Sequence, residues 1–200
     1  MAKGKGKAIT TFRVQLPKAL MSRDLPKYFT RDEMREIIDS TPKDRDRLML
    51  EVMWQTGARI SELLMLKWSD VDRHARAIRI PTLKRRKPHV RVVPISDSLL
   101  KDIALFVADN NIQPKDRLFN VRRTRAFEIV KEACERAGFK GDDRCHPHTL
   151  RHSFAVNCVL QGVPVLVLNE LLGHSQIENT LIYTKVLASD SRPFLEKVSF

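Results

Sequence analysis

Four glycines, Gly57, Gly138, Gly162 and Gly173, each close a stretch of apolar residues recurring at helical spacing. Glycine enters the left-handed conformation that ends a helix at no steric cost, so this punctuation cuts the chain into short helices. Thr30-Arg31-Asp32-Glu33 has the form of a capping box and predicts a helix through Ile38. Further helices are expected over 43–55, over 60–66, and from Ser96 to about Asp109. Others are expected over 122–137, over 148–161 behind Pro147, from Pro164 to Gly173, and over 176–183. Only 76–80 and 90–95 read as extended. Ile78 and Ile80, then Val90 and Val92, alternate on either side of the basic turn Lys84–Pro88, which predicts a β-hairpin. The expected fold is mainly α with a small antiparallel β-sheet.

A chain of 200 residues suits one domain with a real core. Its charge is less ordinary: 36 basic against 24 acidic residues leave +12, the footprint of a nucleic-acid partner. A ribosome-like or merely soluble basic protein carries the same balance. Residues 1–23 hold six basic side chains and no acidic one, as a flexible arm docking on phosphates would. Eight Lys or Arg residues and no carboxylate lie between Arg73 and Ser96. In that ribbon Lys84, Arg85, Arg86, Lys87 and Arg91 are the expected DNA contacts. Cys134, Cys145 and Cys158 are odd in number and form no CxxC pair, so no disulfide framework is expected and a reducing cytoplasm is the default. Cys145-His146-Pro147-His148 lacks a second ligand pair at zinc-finger spacing, so no metal site is expected. No stretch is apolar and long enough to span a bilayer, and the basic start lacks a signal-peptide core. A cytoplasmic, nucleoid-associated protein is expected, with no membrane partner.

The residues that carry chemistry gather late in the chain. His148 and Arg151, three apart, fall about 60° apart on one helix face. Leu150, Phe154 and Cys158 form a neighbouring apolar stripe that would lock that helix into the core. His174 follows a helix-ending glycine, and Tyr183, one of 2 tyrosines, comes soon after. Far upstream, Arg59 is followed three residues later by Glu62, a carboxylate able to hold its guanidinium in one orientation. A planar, permanently charged fork suits two phosphate oxygens. Singly, each of these residues has a dull alternative, from a surface ion pair to a loop histidine or a packing tyrosine.

Together, Gly57-Ala58-Arg59-Ile60-Ser61-Glu62-Leu63, His148-Thr149-Leu150-Arg151-His152, Leu171-Leu172-Gly173-His174 and Tyr183 resemble the signature of the tyrosine recombinases, the phage integrase family. Order and gaps agree, with 23 residues from Arg151 to His174 and 9 more to Tyr183. The resemblance implies the fold of that family's DNA breaking-rejoining catalytic domain, over 28–186. It would follow a basic arm (1–27) and precede a C-terminal segment (187–200) that docks on its own domain or on a neighbouring protomer. It implies a short form without the usual N-terminal core-binding domain.

The same resemblance implies a site-specific recombinase of integrase, invertase or resolvase type, working through a 3′-phosphotyrosyl intermediate without metal, ATP or other cofactor. Tyr183 would be the nucleophile, Arg59 and Arg151 would stabilise charge on phosphorus, His148 would be the general base, and His174 would bond a phosphate oxygen. Lys84 on the hairpin turn would be the acid for the leaving 5′-oxygen, with Lys87 a competing candidate. Glu62 and His152 would support this set. The implied partner is double-stranded DNA, bound by monomers or weak oligomers that assemble as a tetramer on paired sites. Two alternatives stand beside it: a DNA-binding regulator with this fold and no cleavage activity, and a relaxing topoisomerase of type IB.

Overall fold

The computed structural model describes residues 24–82 and 89–189. The first helix among the described residues is α1 (Arg31–Asp39), whose capping box forms as its sequence dictates. The Glu33 amide donates to Thr30 Oγ1 at 3.3 Å, and the Thr30 amide donates to Glu33 Oε2 at 2.7 Å. Next come α2 (Asp44–Thr56) and the single turn α3 (Ile60–Leu63). The helix expected to reach Leu66 stops at Leu63, where the chain tightens into three-residue turns: the Met65 and Leu66 amides donate to the Glu62 and Leu63 carbonyls, each at 3.1 Å. The Leu66 carbonyl accepts from Leu118 at 2.8 Å, and the Trp68 amide donates to Asp116 at 3.2 Å. A 3₁₀ turn, Trp68–Asp70, then leads into the sheet.

The sheet has three antiparallel strands rather than a lone hairpin: β1 (Val71–Asp72), β2 (Ala77–Thr82) and β3 (His89–Pro94), in that order. Ile80 pairs with Arg91 and Ile78 with Val93. That register turns Arg91 and Val93 inward and leaves Val90 and Val92 more than half exposed. The two valines that suggested the strand therefore face solvent.

Beyond the sheet run α4 (Asp97–Asp109), α5 (Arg123–Arg136), α6 (Pro147–Leu160) and α7 (Val165–Leu172). The helix expected over 176–183 continues past Tyr183, but in pieces: α8 (Glu178–Leu181), a 3₁₀ turn (Ile182–Thr184) and α9 (Lys185–Ser189). Among the described residues no helix is long and apolar enough to cross a membrane.

The central element is α6. Thr149, Leu150, Arg151, Ser153, Phe154, Ala155, Val156 and Val159 are all buried, so the helix is enclosed on most sides, by α1, α2, α7 and the turn carrying Tyr183. One core cluster fills the space between α1–α5 and the sheet. A second gathers Phe154, Leu168, Leu172 and Tyr183, and Trp54 packs against both. Gly57, at φ +59°, ends α2 directly on this helix. A Cβ there would lie 2.4 Å from the Phe154 ring, so only glycine lets α2 and α6 approach so closely.

Candidate active site

The site rests on a floor of buried charge. Arg59 ends the extended link into α3, and its Nη1 donates to Glu62 Oε1 at 2.9 Å. Glu62 Oε2 accepts the Arg59 amide at 2.9 Å and Arg91 Nη2 at 2.7 Å. The Glu62 carboxylate is fully buried. Burial alone would raise its pKa, but the hydrogen bond and charge of Arg91, joined by the Arg59 amide and charge, hold it below the ordinary carboxylate value.

Arg151, on α6, is 3% exposed. Its Nη1 donates to the Gly57 carbonyl and its Nη2 to the Leu172 carbonyl, each at 2.6 Å. Both carbonyls lie at helix C-termini, those of α2 and α7, where unsatisfied acceptors and the negative end of the helix dipole favour a cation. Burial, with Arg59 nearby, lowers its pKa to about 9, which leaves the guanidinium charged at neutral pH.

The opposite wall carries the phenol. Tyr183 is 2% exposed, and its hydroxyl lies 2.8 Å from His152 Nδ1. Burial raises the Tyr183 pKa, against the pull of Arg151 and Arg59. Burial also lowers that of His152 to about 4, with His148 and Arg151 adding to the effect, so the pair is neutral at pH 7. His148 sits one turn earlier on α6, its ring stacked on His152 at 6.4 Å between centroids. His174 follows Gly173, the α7 cap, and its Nδ1 lies 2.8 Å from Thr180 Oγ1, which itself donates to Asn169 Oδ1 at 2.8 Å. Burial, then Arg151 and Arg59, lowers the His174 pKa to about 3.

These elements enclose a cleft of about 370 Å³ whose lining includes Arg59, His148, Arg151, His152, His174 and Tyr183. Residues up to 124 positions apart, from 59 to 183, thus converge on one space large enough for a phosphate and its neighbouring sugar atoms. The sequence matches the phage integrase family over residues 27–190. The chain belongs to the phage integrase family.

Tyrosine recombinase XerA of Thermococcus onnurineus is 37% identical over 185 residues, covering 88% of this chain and 64% of the relative. Tyrosine recombinase XerD of Mycobacterium tuberculosis is 33% identical, covering 82% and 58% respectively. The chain therefore spans just under two thirds of the length of the curated relatives it matches. Among solved structures, the catalytic domain of bacteriophage HP1 integrase superposes with a TM-score of 0.65 at 29% identity, covering 84% of this chain and 93% of that one. The XerA recombinase crystal structure gives a TM-score of 0.74 at 24% identity, covering 94% and 70%. The mainly helical fold with its small sheet is thus that of the phage integrase catalytic domain.

Lys84, Arg85, Arg86 and Lys87 lie outside the described residues, as do the basic arm through Arg23 and the C-terminal stretch from residue 190. Thr82, two positions before Lys84, lines the cleft. Arg91 departs from its expected place as a DNA contact. It is 4% exposed and turned inward against Glu62 and Thr82 because the strand register aligns it with Val93 and Ile95 on the core face. Thr180 and Asn169, which hold His174, were not anticipated. Their side chains are ordinary in sequence, and only the fold brings them to the histidine.

Proposed function

We propose that this chain is the DNA-cleaving and rejoining module of a tyrosine site-specific recombinase. One observation carries the reading: a tyrosine hydroxyl, two arginines and three histidines share a single cleft on a +12 chain. Tyr183 Oη attacks a DNA phosphorus, the bond to the 5′-oxygen breaks, and a 3′-phosphotyrosyl link remains. His148 accepts the phenol proton, with His152, already in contact with the hydroxyl, as a second acceptor on the same helix. Lys84, or Lys87, returns a proton to the leaving oxygen. Arg59 and Arg151 face the oxygens of the crowded phosphorus, and a prepositioned donor of that kind contributes roughly 3–4 kcal/mol. The new ester retains the energy of the broken one, so rejoining needs only attack by a 5′-hydroxyl.

Double-stranded DNA is the proposed partner, held in part by the basic arm and hairpin through salt-dependent phosphate contacts. Four copies on paired sites, in the nucleoid, form the proposed assembly. Residues 28–186 are the catalytic domain in this reading.

The test uses nicked, randomised duplexes, from which the short cleaved end diffuses away and traps the adduct. Wild-type protein is expected to give SDS-resistant, sequence-selective adducts. Tyr183→Phe is expected to bind the same duplexes and give none. Loss of binding together with adducts in the variant would sink the nucleophile assignment. Salt-sensitive binding without wild-type adducts would favour a regulator.

A further inference from the structure

We infer that Arg91 is a positioning residue that sets the phosphate-binding guanidinium of Arg59 and ties it to the base of the β-hairpin and to the turn bearing His174. The inference rests on the functional reading above and adds to it a role for a side chain that touches no substrate.

Four observations converge on Arg91. Its Nη2 donates to Glu62 Oε2 at 2.7 Å, while the other oxygen of that carboxylate accepts Arg59 Nη1 at 2.9 Å. One buried carboxylate is therefore shared between two guanidinia, and the direction of each constrains the other. Its Nη1 donates to Thr82 Oγ1 at 3.2 Å, at the last described residue before the hairpin turn. It also packs beneath Gly173: a Cβ on that glycine would lie 3.0 Å from Thr82 Oγ1, 3.2 Å from Arg91 Cδ and 3.3 Å from Arg91 Nη1. The glycine beside His174 thus leaves the room that the guanidinium and Thr82 occupy. Finally, Arg91 Nε is buried without a hydrogen-bond partner among the described residues.

That last observation weighs against a role in stability alone. A buried donor left unmade costs free energy, and a whole buried ion pair exchanged for apolar groups of similar volume is often as stable, so stability alone does not account for this cluster. Removing Arg91 would still leave Glu62 one cationic partner in Arg59, but the carboxylate would be free to turn. Arg59 would then lose its fixed orientation while remaining present and charged. Such a defect should weaken stabilisation of the charged phosphorus, not capture of DNA.

The test measures single-turnover adduct formation on a duplex selected as above, at saturating DNA, with two forms of the scissile linkage. One is the natural phosphate. The other is a methylphosphonate, in which one anionic oxygen is replaced by a methyl group and the demand for a guanidinium is reduced. Arg91→Met is expected to bind DNA within about twofold of wild type and to form adduct at least about tenfold more slowly on the phosphate. The gap should shrink several-fold on the methylphosphonate. Arg91→Lys, which keeps a charge for Glu62 but cannot fork to Thr82, should fall between the two, and it serves as the second variant should the methionine protein fold poorly. Equal slowing on both linkages would overturn the inference in favour of a packing role. So would weakened DNA binding with an unchanged rate at saturation, the signature of a direct DNA contact. Absence of wild-type adduct would instead overturn the functional reading, and this inference with it.

Discussion

The two walls of the cleft are built in opposite ways. On the arginine side a local pair, Arg59 with Glu62, is braced by links between distant elements: α3 to β3 through Glu62, and α6 to the ends of α2 and α7 through Arg151. Glu62, Arg91 and Arg151 are buried there and each makes at least two side-chain links, so the proposed phosphate cradle is braced by the protein itself. On the tyrosine side the chain is a four-residue helix, a 3₁₀ turn and a five-residue helix. Segments of that length are not stable alone and depend on a few tertiary contacts, among them the 2.8 Å contact between Tyr183 and His152. The contrast points to a division of labour: the charges proposed to face the phosphate are built into the core, while the proposed nucleophile sits on short segments with little stability of their own.

The contrast can be broken most forcefully at Glu62. Glu62→Gln leaves Arg59, Arg91 and Arg151 close together without their shared counter-charge, and loss of a buried ionic partner costs about 3–5 kcal/mol. Urea unfolding should show a loss of unfolding free energy of that size, and a change near zero would mean the floor is not electrostatically braced.

Acid probes the histidines of the cleft. His152 and His174 have pKa values of about 4 and about 3 against an ordinary 6.5. Between 6.5 and those values the unfolded chain binds more protons than the folded one. Stability is therefore full above pH 6.5 and falls as pH is lowered, by up to about 1.4 kcal/mol per pH unit for each histidine. Replacing either histidine by glutamine should reduce that slope in denaturant titrations from pH 7 to pH 4; an unchanged slope would show that neither ring is held neutral by the fold.

The smallest effect is expected on the tyrosine wall. His152→Ala removes one hydrogen bond and should cost about 1 kcal/mol. Amide exchange should nevertheless quicken selectively over residues 178–189 while α2 and α6 keep their protection. Uniform quickening would deny the tyrosine segment any separate mobility.

What could be read from the sequence was what is local. The capping box at Thr30–Glu33, the glycine stops and the Arg59–Glu62 pair each depend on residues within one turn, and each formed as expected. The spacing motifs also placed Arg59, His148, Arg151, His174 and Tyr183 together, and they line one cleft. Arg91 was misplaced because the run Val90-Arg91-Val92-Val93 offers an apolar residue to either face. Only pairing with β2 selects the phase that buries the arginine. The 31-residue span from His152 to Tyr183 and the ties from Thr180 and Asn169 to His174 carry no periodic signal, since the fold alone makes them neighbours. Strand β1 is two residues long, too short to announce itself by alternation.

Thr180 has one hydroxyl hydrogen and gives it to Asn169, so the hydrogen in its 2.8 Å link to His174 comes from Nδ1 of the ring. In the neutral imidazole Nε2 is then an acceptor, whereas the phosphate oxygen proposed to meet this ring requires a donor. Engagement of DNA should accordingly draw a proton out of the surrounding buffer and onto His174. Heats of binding measured at pH 7 in buffers of different ionisation enthalpy would count that proton, and affinity would tighten as the solution is made more acidic.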